Sequence, residues 1–219
     1  MTIEGTIAVI GGTGNLGAAL ARRWARAGLD VVIGSRDAAR ARVAAHALGH
    51  GLTGAANAEA AEAANIIVLA VPFAVQETTL AEIRGVAAGK IVIDTTVPLV
   101  PPKVMRVQLP PEGSAAVRTQ ALLGKAVTVV SAFHNVAAHK LATDETVDCD
   151  ILVFGDDKVA RGVAIELAQA AGLRGLHAGP LANSAAAEAL TSILIFINKT
   201  YSCDGAGLRI TGPLQAVGA

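Results

Sequence analysis

Short aliphatic runs recur along this chain, separated by stretches in which alanine and charged residues fall at helical spacing. "IAVI" at 7–10, "IIVLAV" at 66–71 and "KIVID" at 90–94 carry no polar alternation, as expected of parallel strands covered on both faces. Strands are predicted over 6–10, 30–33, 66–70, 91–94, 126–131 and 151–154, with a further extended piece near 175–178. Helices are predicted over 15–27, 38–48, 58–64, 74–86 and 158–171. This alternation is that of βαβ units, and right-handed crossovers wind such units into an α/β, doubly wound parallel sheet. Ligands of such sheets sit at the carboxyl ends of the strands. Residues 98–124 break the rhythm: five prolines exclude a regular element and predict a rim loop, ahead of a short helix over 114–123. A last long helix follows Gly179-Pro180, with Asn183 or Ser184 as its N-cap. It is apolar almost all round and is expected to be buried against the α/β unit, a second subunit, or both. The chain thus divides into 1–181, the sheet domain, and 182–219, a small C-terminal helical part closing the substrate cleft.

Composition narrows the partners. Hydrophobic residues make up 53% and charged ones 16%, so the chain can cover its sheet well, while aromatics at 3% leave the core to aliphatic and alanine packing. Lys and Arg number 18 and Asp and Glu 18, a net charge of zero that speaks against a nucleic-acid partner. Two cysteines, Cys149 and Cys203, make no disulfide framework and lie at no metal-ligand spacing. The apolar run 185–197 carries Glu188, Thr191 and Ser192 and falls short of the roughly 20 residues of a membrane span. With no basic-then-apolar leader at the start, a soluble, cytoplasmic protein is expected.

The chemistry begins with "GGTGNLG". Gly12, Gly14 and Gly17 form G-x-G-x-x-G directly after a predicted strand and at the start of a predicted helix. In such a unit the first glycine allows a tight turn and the second lets backbone approach a pyrophosphate. The third lets helix and strand pack closely, with the helix N-terminus facing the negative charge. An NAD site would end the second strand in a carboxylate for the ribose 2′-hydroxyl. Here Gly34-Ser35-Arg36 stands in its place, with Arg40 one helical turn on, a set that suits a 2′-phosphate and hence NADP(H). Asp37 is the one acid that could still turn toward a ribose. "VLAVPF" stops at Pro72, where Phe73 can cover the cofactor's ribose or ring edge, and "DTTVPLV" ends the next strand in the same way; together they suggest a nicotinamide pocket. "SAFHN" presents His134 and Asn135 after another apolar strand. His134 could donate to substrate or move a proton near neutral pH, or simply be a helix-start histidine bonded to backbone. No nucleophile–base pair or metal motif accompanies it, so the cofactor would supply the chemistry.

The order "GGTGNLG…GSR", "VPF", "VPLVP", "SAFHN", "FGDD", "GLRGLHAGPLANS" and "GAGLRITG" resembles the NADPH-dependent reductases of the deazaflavin coenzyme F-420, over nearly the whole chain. The cytoplasmic oxidoreductase domain of transmembrane ferric reductases is a weaker resemblance. The first resemblance implies a Rossmann, NAD(P)-binding fold, a homodimer, and reversible hydride transfer between NADP(H) and F-420 as co-substrate. By it, Gly12, Thr13, Gly14, Asn15 and Leu16 would bind pyrophosphate and Ser35, Arg36 and Arg40 the 2′-phosphate. Val71, Phe73, Val97 and Ala138 would complete the cofactor site. His134, as catalytic residue, would face the deazaflavin with Asn135, Asn183, Thr191 and Leu208. The chain departs from the family pattern on the first turns of the last helix, where Ala185 and Ala189 replace an Arg and a Ser. Two other readings keep the nucleotide site: reduction of another small conjugated acceptor (flavin, pterin or imine), or non-catalytic NADP(H)-binding regulation.

Overall fold

A computed structural model describes Ile3 and residues 5–215. The first half runs β1 (Ile7–Ile10), α1 (Asn15–Arg26), β2 (Val31–Ser35), α2 (Ala38–Leu48), β3 (Thr53–Ala56), α3 (Asn57–Ala63), β4 (Ile66–Leu69) and α4 (Gln76–Ile83). The second half runs β5 (Ile91–Asp94), α5 (Ala115–Leu123), β6 (Thr128–Ser131), α6 (Ala138–Leu141), β7 (Asp150–Gly155), α7 (Lys158–Ala170), β8 (Arg174–His177) and α8 (Ser184–Tyr201). The strands form one sheet in the order β3-β2-β1-β4-β5-β6-β7-β8. Successive side chains of a strand point to opposite faces, and both faces here are apolar. Ile7 and Val9 of β1 join Trp24, Ile33, Val68 and Ile93 on one side, while Ala8 and Ile10 join Ile67, Leu69, Leu80 and Val92 on the other. Helices cover both faces, as a doubly wound sheet requires.

Two side chains of α1 tie the layers together. Trp24 is fully buried, donates from Nε1 to Leu167 O at 2.8 Å, and meets Phe133 edge-on at 5.9 Å between ring centroids. Arg23 donates to the carbonyls of Leu141, Ala171, Thr143 and Glu145, joining the ends of α6 and α7 to the loop between them. Four carbonyls reached from one rigid, planar fork of donors are something only arginine offers.

Most predicted elements fall where the hydrophobic pattern put them, and three expectations are corrected. β3 was missed: "TGAA" has no β-branched run, yet it pairs with β2 in register from Val32 opposite Thr53 to Ser35 opposite Ala56. Its Gly54 explains the composition, because a Cβ there would lie 2.3–2.5 Å from the backbone of Ala41 and Arg42 on α2. The sheet is not wholly parallel, since β7 runs antiparallel to β6. Residues 132–149 between them hold only the four-residue α6, with no crossover helix to return the chain to the opposite edge. The helix α8 is covered by this chain on one side, with Ile193 and Phe196 about half exposed, at 47% and 53%. Third, the apolar run is longer than read: Leu181–Tyr201 is 21 helical residues of mean hydropathy 1.3, enough by length and composition to cross a membrane. Its polar groups nevertheless bond within the protein, Ser184 to Ser114, Thr191 to His134 O and Glu188 to α5. Asn183 stands at the N-cap position but caps nothing with its side chain, which donates instead to Ala178 O.

Candidate functional site

The glycine turn between β1 and α1 is shaped by four glycines. Gly11 carries the left-handed backbone, at φ 82°, so it makes the tight turn that was assigned to Gly12. A Cβ on Gly12 would come within 2.7 Å of Ile33 Cγ2, and one on Gly17 within 2.7 Å of Gly11 O. Both are there for close packing. Gly14 is exposed and is the N-cap of α1, which no side chain caps. By contrast α2, α5 and α7 are capped by Asp37, Ser114 and Asp157. Thr13, Gly14 and Asn15 are exposed and Leu16 half-buried around this open helix end, where backbone N–H groups and the helix dipole favour an anion.

A cleft of about 520 Å³ joins that turn to the end of β2, lined among others by Thr13, Gly14, Ser35, Arg36, Arg40 and Val71. Arg36 and Arg40 are exposed, and neither guanidinium has an ion-pair or hydrogen-bond partner among the described residues. Asp37 does not point to a ribose, because its carboxylate accepts from Ala39 N at 2.9 Å and Arg40 N at 3.2 Å. Two unpaired guanidiniums and a hydroxyl therefore line the cleft's end, and the acid beside them, Asp37, is engaged through Oδ1 with the N-terminus of α2.

The ends of β4 and β5 form the next stretch of rim. Thr95 donates from Oγ1 to Leu69 O at 3.0 Å, which locks the two strand ends together and sets Val97 half-buried beyond them. Phe73 is half-buried, and the Arg118 guanidinium lies over its ring at 5.3 Å from the centroid, held in turn by Glu77. Ala138 opens α6 beside Asn15, on a separate depression of about 500 Å³ that also includes Ala18, Arg22 and His139.

His134, Asn135 and Thr191 are brought together. Phe133, at φ 66°, turns the chain after β6, and its ring is anchored on Trp24. Thr191 of α8 donates to His134 O at 3.0 Å, and Asn135 donates to Ala187 O at 3.2 Å. His134 is buried, and its Nε2 lies 2.8 Å from Ser131 Oγ. Burial pushes the imidazole down to about 3, so the ring is neutral throughout the physiological range. It does not start a helix, since α6 begins only at Ala138. Leu208 joins this wall through backbone, accepting from Asp150 N at 2.7 Å, while the carboxylate of Asp150 accepts from Ile210 N and pairs with Arg174. Asn183 is not brought to this group: it is exposed and bonded to Ala178 O.

A buried polar network that the motifs did not reveal lies behind the rim. Asp94, at the end of β5, is fully buried and accepts from Thr119 Oγ1 at 2.6 Å, Thr96 N at 2.7 Å and Gln76 Nε2 at 3.1 Å. Its carboxyl is pushed up by burial, against the pull of those donors. Glu188 of α8 accepts from Ala115 N at 2.6 Å and Ala116 N at 3.2 Å, so one helix supplies the cap of another. No spacing rule marks Glu188, and only its place as the lone acid in an apolar helix could have singled it out.

Comparison with known proteins bears on this geometry. Residues 6–98 match the family described as NADP oxidoreductase, coenzyme F-420-dependent. A protein of Methanothermobacter thermautotrophicus described as F-420-dependent NADP reductase is 42% identical, over 94% of this chain and 94% of its own length. The chain belongs to this family. A second member, from Methanocaldococcus jannaschii and of the same description, is 38% identical over 94% of this chain and 97% of its own length. A crystal structure from Arthrobacter sp. FB24, described as a candidate F-420-dependent NADP reductase, shares the fold with a TM-score of 0.84 at 24% identity. It aligns over 95% of this chain and 100% of its own. An imine reductase from Myxococcus stipitatus shares it more distantly, with a TM-score of 0.62 at 20% identity over 91% of this chain and 62% of its own. The F-420 reductase family thus accounts for a mostly parallel Rossmann sheet with a helical C-terminal part.

Proposed function

We propose that this family member transfers hydride between NADP(H) and coenzyme F-420, with NADP(H) held at the glycine turn and the end of β2. The observation that carries this reading is the cleft in which the uncapped N-terminus of α1 meets Ser35, Arg36 and Arg40, whose guanidiniums have no internal partner. Gly12, Thr13, Gly14, Asn15 and Leu16 would hold the pyrophosphate, and the Ser35 hydroxyl and both guanidiniums the 2′-phosphate. Val71, Phe73 and Val97 bound the path toward the nicotinamide, while Ala138 lies on the neighbouring depression beside Asn15. When bound, NADPH supplies the hydride to a ring stacked on its nicotinamide, so proximity and exclusion of water provide most of the advantage. His134, Asn135 and Thr191 form the acceptor's wall, with Leu208 beside it. In this reading residues 1–181 bind the nucleotide and the C-terminal part from 182, through its described residues, closes the acceptor side, in a cytoplasmic homodimer that covers Ile193 and Phe196.

Purified protein, NADPH and F-420 are expected to give loss of the deazaflavin absorbance together with NADPH oxidation. Tight NADPH binding with no turnover of F-420 would overturn the proposal. A second reading draws on Ala185 and Ala189, which are half-buried on the first turns of α8 and offer no polar group to an acceptor. Turnover of a flavin, pterin or imine in place of F-420 would select it, and silence with every acceptor would leave an NADP(H)-binding regulator.

His134 acts here as a neutral hydrogen-bonding and shape-defining group. Because its ring titrates near 3, kcat/KM for the acceptor is expected to show no His134-dependent inflection between pH 5.5 and 8. His134→Gln should lower kcat/KM by about tenfold, one hydrogen bond's worth, while leaving the profile's shape unchanged. An inflection near pH 6.5 that vanishes in this variant would contradict the neutral role.

A further inference from the structure

We propose that Asn57 reads the adenine of the bound nucleotide, its Oδ1 accepting a hydrogen bond from the 6-amino group; this rests on the NADP(H) site proposed above. Asn57 follows directly on β3 and is only 4% exposed, yet it lines the same cleft as Ser35, Arg36 and Arg40. Its Nδ2 donates to Glu82 Oε2 at 2.7 Å, a partner that only the amino side of the amide can satisfy. That bond fixes the amide's orientation and turns Oδ1 the other way. Oδ1 is buried and has no hydrogen-bond partner within the described chain. A buried acceptor left unpaired costs about 1–3 kcal/mol, so such an atom at a cleft is expected to be satisfied by what enters it.

The surroundings say which group that is. Oδ1 lies on the Gly34 side, where an added Cβ would come within 3.1 Å of it and within 2.7 Å of Ile10 Cδ1, so the glycine leaves room for the Asn57 amide. Val71, Pro72 and Val75 give the same cleft an apolar side on which a flat base can lie. Thr79 Oγ1 also lines the cleft but is spent on Val75 O at 2.8 Å. An acceptor cannot hold the 2′-phosphate, which needs donors, and in the site proposed above the ribose 3′-hydroxyl would be carried beside the pyrophosphate turn at Thr13 and Gly14. The exocyclic amine of adenine is the remaining donor. Glu82 thereby becomes a positioning residue: without it the amide is free to rotate and present Nδ2 to the cleft.

Isothermal titration of the ligand-free protein with NADP+ and with its hypoxanthine analogue tests this. In the analogue an oxo group replaces the 6-amino group, setting acceptor against acceptor. Wild type should bind NADP+ about tenfold tighter or more, because loss of one partner leaves both groups unpaired. Asn57→Ala should weaken NADP+ about tenfold and the analogue less than twofold. Glu82→Ala, an exposed change away from the nucleotide, should narrow the preference by improving the analogue, and it serves if Asn57→Ala fails to fold. Equal loss of both nucleotides on Asn57→Ala would move the contact to the ribose and overturn the proposal. No preference in wild type, or one untouched by either variant, would overturn it too. Failure of the whole NADP(H) reading would appear differently, as no binding of either nucleotide by wild type.

Discussion

Replacing Arg36 and Arg40 together by alanine is expected to lower the preference for NADPH over NADH about 100-fold in kcat/KM. Each guanidinium offers a charge-assisted bond to the 2′-phosphate, worth roughly 1.5–3 kcal/mol. Both side chains are exposed, so screening puts each near the lower end, about tenfold, and the two acting independently reach about 100-fold. The loss should fall on KM for NADPH with NADH unaffected, because the contact is made equally in ground and transition states. Raising ionic strength should shrink the wild-type preference in the same direction. The structural basis is that neither guanidinium is occupied within the described chain, while the one nearby acid, Asp37, is spent on the N-terminus of α2. A preference unchanged in the double variant would move the 2′-phosphate elsewhere.

How much of this was legible in advance varies with the physics of each feature. The glycine turn and the Ser35–Arg40 segment are local, set by residue type at fixed offsets, and they were read from the chain directly. The strands that were found are buried on both faces and announce themselves as aliphatic runs. β3 does not, because its close approach to α2 demands Gly54 and leaves an edge strand that reads as a loop. The direction of β7 depends on how far residues 132–149 travel, which composition does not encode. Asn57 and Glu188 were invisible for one shared reason. Each gains its meaning from a partner distant in sequence, Glu82 for the first and Ala115 and Ala116 for the second. Even the glycine rule was displaced by one residue, since Gly11 and not Gly12 holds the positive φ.

The same long-range capping makes Glu188 the most consequential residue outside the cleft. Its carboxyl is 1% exposed, and burial pushes its pKa up to about 8, with the nearby Asp94 adding to the rise and the N–H groups of Ala115 and Ala116 opposing it. The sign follows from proton counting. The unfolded chain releases this proton near the ordinary glutamate value of 4.5, whereas the folded chain keeps it until about pH 8. Between those values the native state binds more protons, so its stability falls as pH rises. Glu188's favourable contribution is complete below about pH 4.5 and is gone above about pH 8, a change on the order of 3–5 kcal/mol. The urea midpoint of wild type is therefore expected to drop across this window, and Glu188→Gln should flatten the drop, since an amide does not titrate. The glutamine still accepts one of the two α5 N–H bonds. Glu188→Ala, which loses both and leaves a cavity, should cost about 3 kcal/mol even at low pH. Because Thr191 sits on the same helix and bonds His134 O, loosening α8 should also raise KM for the acceptor more than KM for NADPH. A glutamine variant whose midpoint falls with pH as steeply as wild type's would show that another group carries the titration, and that the α8–α5 cap is not the pH-sensitive joint of the fold.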